Sequence, residues 1–163
     1  MEVLLTGGNS KFGAVLAEQM RQKGWNVETV SRSDLWRDEI NVSKEHYDLI
    51  FFNHNKPVLD WNFDKYPSQL LKKVTAGRIG WMITGAAIYP ELDDAPGPQF
   101  WSYVAQKMIY INQMKLYRVK SNTFCFDPGI ITPDNQESIA IELMNACVEN
   151  LSKIYKSVSG SGL

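Results

Sequence analysis

The sequence has few of the residues that build metal centres and disulfides. Its 163 residues include only two cysteines and two histidines. Cys125 and Cys147 match no metal-ligand spacing. Two cysteines so far apart are typical of buried, reduced thiols in a cytosolic protein. We therefore expect neither a metal site nor a disulfide framework.

Long apolar runs and an excess of one charge are also missing. No apolar run is long enough for a membrane-spanning segment. The formal net charge is −1, so the composition indicates neither nucleic acid nor an acidic membrane as a partner. The residues from Met1 to Leu5 contain no basic segment and no cleavage signal. These absences predict a cytoplasmic protein.

What the sequence contains is an alternation of strand-like and helical patterns. Apolar runs predict strands at residues 3–5, 25–31, 40–42, 48–53, 79–84, 122–126 and 153–158. Helical periodicity predicts helices at residues 11–23, 67–75 and 99–118, with Gly24 ending the first. A last helix is predicted to begin near Asp134, where Glu137 completes a capping box.

This alternation predicts an α/β fold, a three-layer doubly wound parallel sheet of the Rossmann type with six or seven strands. With 44% hydrophobic and 21% charged residues, the chain fits one soluble domain. We place that domain at residues 1–158, followed by a flexible tail at residues 159–163. Ligands of such sheets bind beyond the carboxyl ends of the strands.

The turn after the first predicted strand is rich in glycine. It reads Thr6-Gly7-Gly8-Asn9-Ser10-Lys11-Phe12-Gly13. Glycines allow a sharp bend and a close approach to phosphate, and the following helix offers free N–H groups at its N-terminus. The turn therefore predicts a pyrophosphate site. The alternative is a tight turn that needs glycine only for its backbone shape.

This turn resembles the TGxxxGxG turn of the short-chain dehydrogenase/reductase family. Thr6, Gly7 and Gly13 match, whereas Lys11 stands where the family has its middle glycine. The resemblance extends over nearly the whole chain and implies a dinucleotide-binding Rossmann domain. Beyond the turn, the cofactor-binding residues that it implies are Ser31, Arg32, Asn41, Asn53, His54, Asn55, Pro128, Gly129 and Ile131. Thr132 comes one residue early for the family's Pro-Gly…Thr element.

The end of the second predicted strand bears on the choice of dinucleotide. Ser31 and Arg32 lie there, and no acidic residue follows before Asp34. An acid at this position would repel a 2′-phosphate, whereas an arginine attracts it. The sequence therefore favours NADP(H) over NAD(H). The alternative is that Arg32 is a solvated side chain at a strand end.

Tyr103 and Lys107 form a YxxxK pair on the long predicted helix, four residues apart and on the same face. An ammonium beside a phenol lowers the phenol pKa, which suits a general acid or base. The family resemblance adds two expected catalytic residues. Thr84 takes the place of a serine that steadies the substrate oxygen, and Asn62 that of an asparagine that positions a water. The alternatives are an aromatic core residue with a surface lysine, and an ordinary threonine at a strand end.

These observations predict an NADP(H)-dependent oxidoreductase that transfers hydride between nicotinamide and a small carbonyl or alcohol. Two other interpretations stay open: a non-catalytic dinucleotide sensor or scaffold, and a nucleotide-sugar enzyme of the same superfamily. The segments that normally cover the substrate are short, which favours the sensor. The long helix carries more apolar side chains than one sheet face needs, so we expect a homodimer or homotetramer.

Overall fold

The computed structural model contains a parallel six-stranded sheet. The structure describes residues 1–31, 41–53, 65–88 and 98–160. The strands are β1 (Glu2–Thr6), β2 (Asn26–Val30), β3 (His46–Phe52), β4 (Thr75–Met82), β5 (Asn122–Asp127) and β6 (Ile154–Lys156). They lie in the order β2-β1-β3-β4-β5-β6, and each neighbouring pair is parallel. This arrangement confirms the predicted fold class.

Helices cover both faces of the sheet. They are α1 (Lys11–Gln22), α2 (Lys65–Lys73), the short α3 (Gly85–Ile88), α4 (Pro98–Tyr117) and α5 (Gln136–Val148). Apolar residues of α1 and α5 pack with one face of the strands, and those of α2 and α4 pack with the other. Because both faces are covered, the central strands contain runs of consecutive buried residues, such as Leu49–Phe52 on β3. Within the described ranges, every helix is too short or too polar to cross a membrane.

The first helix ends at the glycine that the sequence predicted. Gly24 has a φ of +86°, a conformation that glycine adopts at low cost. Its N–H donates to the carbonyl of Arg21 at 2.9 Å, and the N–H of Trp25 donates to the carbonyl of Met20 at 3.0 Å. This pair of bonds is a Schellman motif, which directs the chain from α1 into β2.

The strand predicted at residues 40–42 is wrong for the residues that the structure describes. Asn41 and Val42 do not pair with the sheet, and Ile40 lies outside the described ranges. The N–H of Ser43 instead donates to the Glu28 carboxylate at 2.8 Å. A side chain of β2 therefore holds this segment, and Val42 packs against the core outside the sheet.

The predicted capping box of the last helix is also wrong. Helix α5 begins at Gln136, and Asn135 precedes it without a side-chain cap bond. The Asn135 side chain accepts from the N–H of Thr132 at 2.7 Å and donates to the carbonyl of Ile130 at 2.8 Å. It stabilises the loop after β5, which leaves Asp134 without a capping role.

The strand order fixes where a ligand would bind. The connection through α1 leads from β1 to β2 on one side, whereas β3 lies on the other side of β1. The chains leaving β1 and β3 therefore diverge, which opens a crevice at their carboxyl ends. The glycine-rich turn follows β1 directly and lies at this crevice.

Candidate functional site

The glycine turn, residues 6–13, is joined to the neighbouring strand through its backbone. Gly7 has a φ of +71°, which side chains other than glycine rarely tolerate. Its N–H donates to the carbonyl of Val30 at the end of β2, at 3.0 Å. Its carbonyl accepts from the N–H of Ser10 at 3.2 Å. The bond to Val30 thus fixes the turn to β2.

The start of α1 packs tightly against this turn. Ser10 caps the helix, because its hydroxyl accepts from the N–H of Gly13 at 3.0 Å and donates to the carbonyl of Gly7 at 2.9 Å. A Cβ at Gly13 would lie 2.0 Å from that carbonyl oxygen. Position 13 therefore admits only glycine in this conformation, as the family resemblance implied.

Asn53, at the end of β3, braces the same turn. Its backbone N–H donates to the Thr6 hydroxyl at 3.0 Å, and its side-chain amide lies 3.3 Å from the carbonyl oxygen of Gly7. Asn53 is buried. The structure therefore brings this predicted cofactor residue together with the glycine turn at the crevice between β1 and β3.

The outer side of the turn presents unbonded amides. Among the described residues, no acceptor bonds the backbone N–H groups of Gly8, Asn9, Lys11 and Phe12. Lys11 is exposed at the first position of α1, and the first helical turn contains no acidic residue. A lysine at this end opposes the helix dipole. Free amides and an added cation together form an environment that suits an anion such as a pyrophosphate.

Of the other predicted cofactor residues, those after β2 and β5 lie at the carboxyl edge of the sheet, whereas Asn41 lies in the segment that precedes β3. Ser31 follows β2 and is half-buried, and Asn41 is exposed. Pro128, Gly129 and Ile131 lie on the loop after β5. The remaining predicted site residues, Arg32, His54, Asn55 and Asn62, lie outside the described residues.

The loop after β5 is held by the last described residues of the chain. The N–H of Ile130 donates to the carbonyl of Gly160 at 2.9 Å. Glu142, on α5, accepts from the N–H groups of Val158 and Ser159, each at 3.0 Å. Helix α5 and the segment after β6 therefore fix the position of the Pro128-Gly129 turn.

Two predicted catalytic residues, Tyr103 and Lys107, pack against each other, and a third, Thr84, precedes Gly85 near Asp127 at the end of β5. Tyr103 and Lys107 lie on α4, and Thr84 follows β4. The hydroxyl of Thr84 has no hydrogen-bond partner among the described residues. Asp127, the last residue of β5, lies beside them: its Oδ2 is 3.0 Å from the position of a Cβ on Gly85. We refer to Thr84, Tyr103, Lys107 and Asp127 as the Tyr103 cluster.

Lys107 is fully buried, with 0% of its surface exposed. Its Nζ lies 5.3 Å from the centroid of the Tyr103 ring and 4.9 Å from that of Tyr110. No hydrogen-bond acceptor for this Nζ exists among the described residues. Burial lowers the pKa of Lys107 to about 7, since a charged amine is costly without water.

The expectation that Lys107 lowers the Tyr103 pKa is wrong in this structure. Burial raises the pKa of Tyr103, and the negative charge of Asp127 raises it further. The Nζ of Lys107 lies over the ring and makes no hydrogen bond to the phenol oxygen, and its own burial disfavours the positive charge. The phenol therefore stays protonated at neutral pH.

Asp127 is the site residue that the sequence reasoning missed. It is 9% exposed, and its Oδ1 accepts from the N–H of Gly129 at 3.0 Å. The available signal was its position, because an acid stood directly before the Pro-Gly turn at the carboxyl end of a predicted strand. The family resemblance assigns a role to Pro128 and Gly129 and none to Asp127.

The comparisons with known proteins rest on structure, since the sequence matches no protein-family model and no curated protein. A small-chain dehydrogenase in complex with NADPH is 12% identical, with a TM-score of 0.66 over 99% of this chain and 98% of its own. The 3-alpha-hydroxysteroid dehydrogenase from Pseudomonas sp. B-0831, complexed with NADH, is 12% identical, with a TM-score of 0.67 over 96% and 94%. A putative 3-oxoacyl-reductase from Bacillus thuringiensis is 15% identical, with a TM-score of 0.65 over 95% of each chain.

These similarities extend over the whole chain and confirm the expected resemblance at the level of the fold. At 12–15% identity they show the fold alone. The chain has the Rossmann fold that short-chain dehydrogenases share.

Proposed function

We propose that the protein is an NAD(P)(H)-dependent oxidoreductase of the short-chain type, which transfers hydride between nicotinamide and a small carbonyl or alcohol. The observation that carries the proposal is the set of unbonded amides on the glycine turn at the crevice between β1 and β3. The Tyr103 cluster lies at the same edge of the sheet. The structural neighbours that contain NADPH and NADH support this assignment.

The residues present fit a dinucleotide. The amides of residues 8, 9, 11 and 12 and the Lys11 ammonium would hold its pyrophosphate, while Asn53 keeps the turn in place. We propose NADP(H) as the preferred form because Arg32 and the absence of a nearby acid suit a 2′-phosphate. When bound, the nicotinamide supplies or accepts the hydride.

The chain's own residues would move the proton. The Tyr103 phenol, kept protonated by its raised pKa, donates to the carbonyl oxygen during reduction. The Thr84 hydroxyl bonds the same oxygen. With a pKa of about 7, Lys107 changes protonation state near neutral pH and adjusts the charge beside Tyr103. Asn62 stays a predicted water-positioning residue.

A non-catalytic dinucleotide sensor is the second candidate. Lys11 departs from the family turn, and the Nζ of Lys107 is buried away from the surface.

For either function we propose a cytoplasmic homo-oligomer that pairs through α4. Met108 and Leu116 on this helix are 44% and 67% exposed.

Titration with NADPH and NADH tests the cofactor assignment. The wild type should bind NADPH more tightly, and Arg32→Ala should weaken NADPH more than NADH, because only NADPH carries the 2′-phosphate. Equal losses for the two dinucleotides would contradict the NADP(H) preference.

A panel of small carbonyl substrates tests the chemistry. Tyr103→Phe should lower kcat by about 10²- to 10⁴-fold, whereas Tyr117→Phe on the same helix should not. Turnover that survives Tyr103→Phe would contradict the proposed role of this residue. Tight NADPH binding without turnover of any substrate would favour the sensor.

A further inference from the structure

Asp127 has the position of a group that contacts substrate. Its backbone carbonyl accepts from the N–H of Ser157 at 2.9 Å, and its Oδ1 accepts from the N–H of Gly129 at 3.0 Å. These two bonds fix the side chain at the end of β5. With only 9% of its surface exposed, this carboxylate is an unusual residue to find at a strand end.

The carboxylate faces the helix that carries Tyr103. Side chains two residues apart on a strand point to the same face, so Asp127 lies on the face of Cys125. The Sγ of Cys125 lies 4.0 Å from the carbonyl oxygen of Tyr110 on α4. Tyr103 precedes Tyr110 by about two helical turns, toward the carboxyl ends of the strands. Asp127 Oδ2 also lies close to Gly85, the residue after Thr84, and its charge acts on the Tyr103 phenol.

No described cation balances this charge. No hydrogen-bond donor or ion-pair partner of Asp127 Oδ2 exists among the described residues. The Nζ of Lys107 lies over the Tyr103 and Tyr110 rings. Lys156 is the register neighbour of Asp127 on β6, and its side chain is exposed. A buried carboxylate is costly without a positive partner, and such groups are enriched at functional sites.

The reaction itself calls for a positive charge here. When a carbonyl carbon accepts a hydride, the C=O π bond breaks and negative charge develops on oxygen until Tyr103 donates its proton. A carboxylate nearby opposes that charge. An ammonium on the substrate that pairs with Asp127 would neutralise the repulsion between this carboxylate and the developing oxyanion. The ammonium would transfer none of its own protons.

We propose that Asp127 selects carbonyl and alcohol substrates that carry a protonated amine on the carbon adjacent to the reacting carbon. Amino ketones and amino alcohols are examples. This inference rests on the proposed oxidoreductase function. Asp127 acts as a specificity-determining residue, because it contacts the substrate cation and takes no part in the proton transfer.

Calorimetry with matched alcohols tests the inference. The probes are 1-amino-2-propanol with its neutral counterpart 2-butanol, and 2-amino-1-phenylethanol with 1-phenyl-1-propanol. Each is titrated into the wild type saturated with NADP+. The amine of each pair should bind at least tenfold more tightly than the alcohol in which a methyl replaces the ammonium. Equal affinities, or no binding of either amine, would overturn the inference.

Asp127→Asn should reduce the ratio of the amine affinity to the alcohol affinity to near one. Asparagine still accepts from the N–H of Gly129 but carries no charge. Asp134→Asn, which alters an exposed acid on the same loop, is the matched control and should leave the ratio unchanged. If Asp127→Asn does not fold, the wild-type ratios decide alone. Failure of NADP+ to bind would overturn the proposed function and this inference together, whereas NADP+ binding without amine preference would overturn only the inference.

Discussion

The glycine turn and the Tyr103 cluster lie at the same edge of the sheet, and they satisfy their polar groups to different degrees. The turn is held by its bond to the Val30 carbonyl, by the Ser10 cap and by Asn53, and among the described residues its outward amides have no acceptor. The Tyr103 cluster contains a fully buried amine and a nearly buried carboxylate oxygen without partners among the described residues. Backbone geometry therefore stabilises the first region, whereas the second contains charge arrangements that cost stability.

The largest effect is expected at the glycine turn, from Gly13→Ala. Its Cβ would lie 2.0 Å from the Gly7 carbonyl oxygen, so the helix start must move. We expect the free energy of unfolding to fall by about 3 kcal/mol and NADPH binding to be lost. Urea unfolding and fluorescence titration measure the two effects. Gly77→Ala, whose Cβ would be 3.4 Å from its nearest contact, is the control. A Gly13→Ala protein as stable as the wild type would contradict this account of the turn.

Lys107→Met should have the opposite effect on stability. Replacing the buried amine with an apolar side chain of similar length should raise the free energy of unfolding by roughly 1–4 kcal/mol at pH 6 while abolishing turnover. Urea unfolding at pH 6, 7.5 and 9 measures this gain, with Lys115→Met, an exposed lysine on the same helix, as control.

The gain should decrease as the pH rises. The Lys107 pKa is about 7 in the folded protein and about 10.4 in the unfolded chain. Between these values the unfolded state binds more protons, so wild-type stability increases with pH across this window. The cost of burying Lys107 is complete below pH 7. A Lys107→Met protein less stable than the wild type at pH 6 would show that the buried amine has a stabilising partner.

The smallest effect concerns Lys11. Lys11→Gln should stabilise the ligand-free protein by about 0.3–1 kcal/mol, because it removes a cation from the positive end of the α1 dipole. It should also weaken NADPH binding. Lys23→Gln, at the other end of α1, should slightly lower stability and leave NADPH affinity unchanged. Thermal unfolding and fluorescence titration would report both, and unchanged affinity in Lys11→Gln would remove Lys11 from the phosphate site.

The contrast between the glycine turn and the Tyr103 cluster also explains which features local sequence patterns could predict. The strands of the core, the stop at Gly24 and the glycine turn depend on residues close together in the chain, and local patterns predicted them. The segment at Val42 was predicted wrongly because a distant side chain, Glu28, holds it. The role of Asp127 and the raised Tyr103 pKa depend on contacts between β5 and α4, which no local pattern contains.

The central claim is that the unbonded amides of the glycine turn bind a dinucleotide diphosphate. Two-dimensional ¹H–¹⁵N NMR during titration with NADP+ and NAD+ tests it most directly. We predict that the amide signals of Gly8, Asn9, Lys11 and Phe12 shift with saturation, while that of Gly77 at the start of β4 does not. Turn signals that stay in place at millimolar concentrations of both dinucleotides would contradict the account.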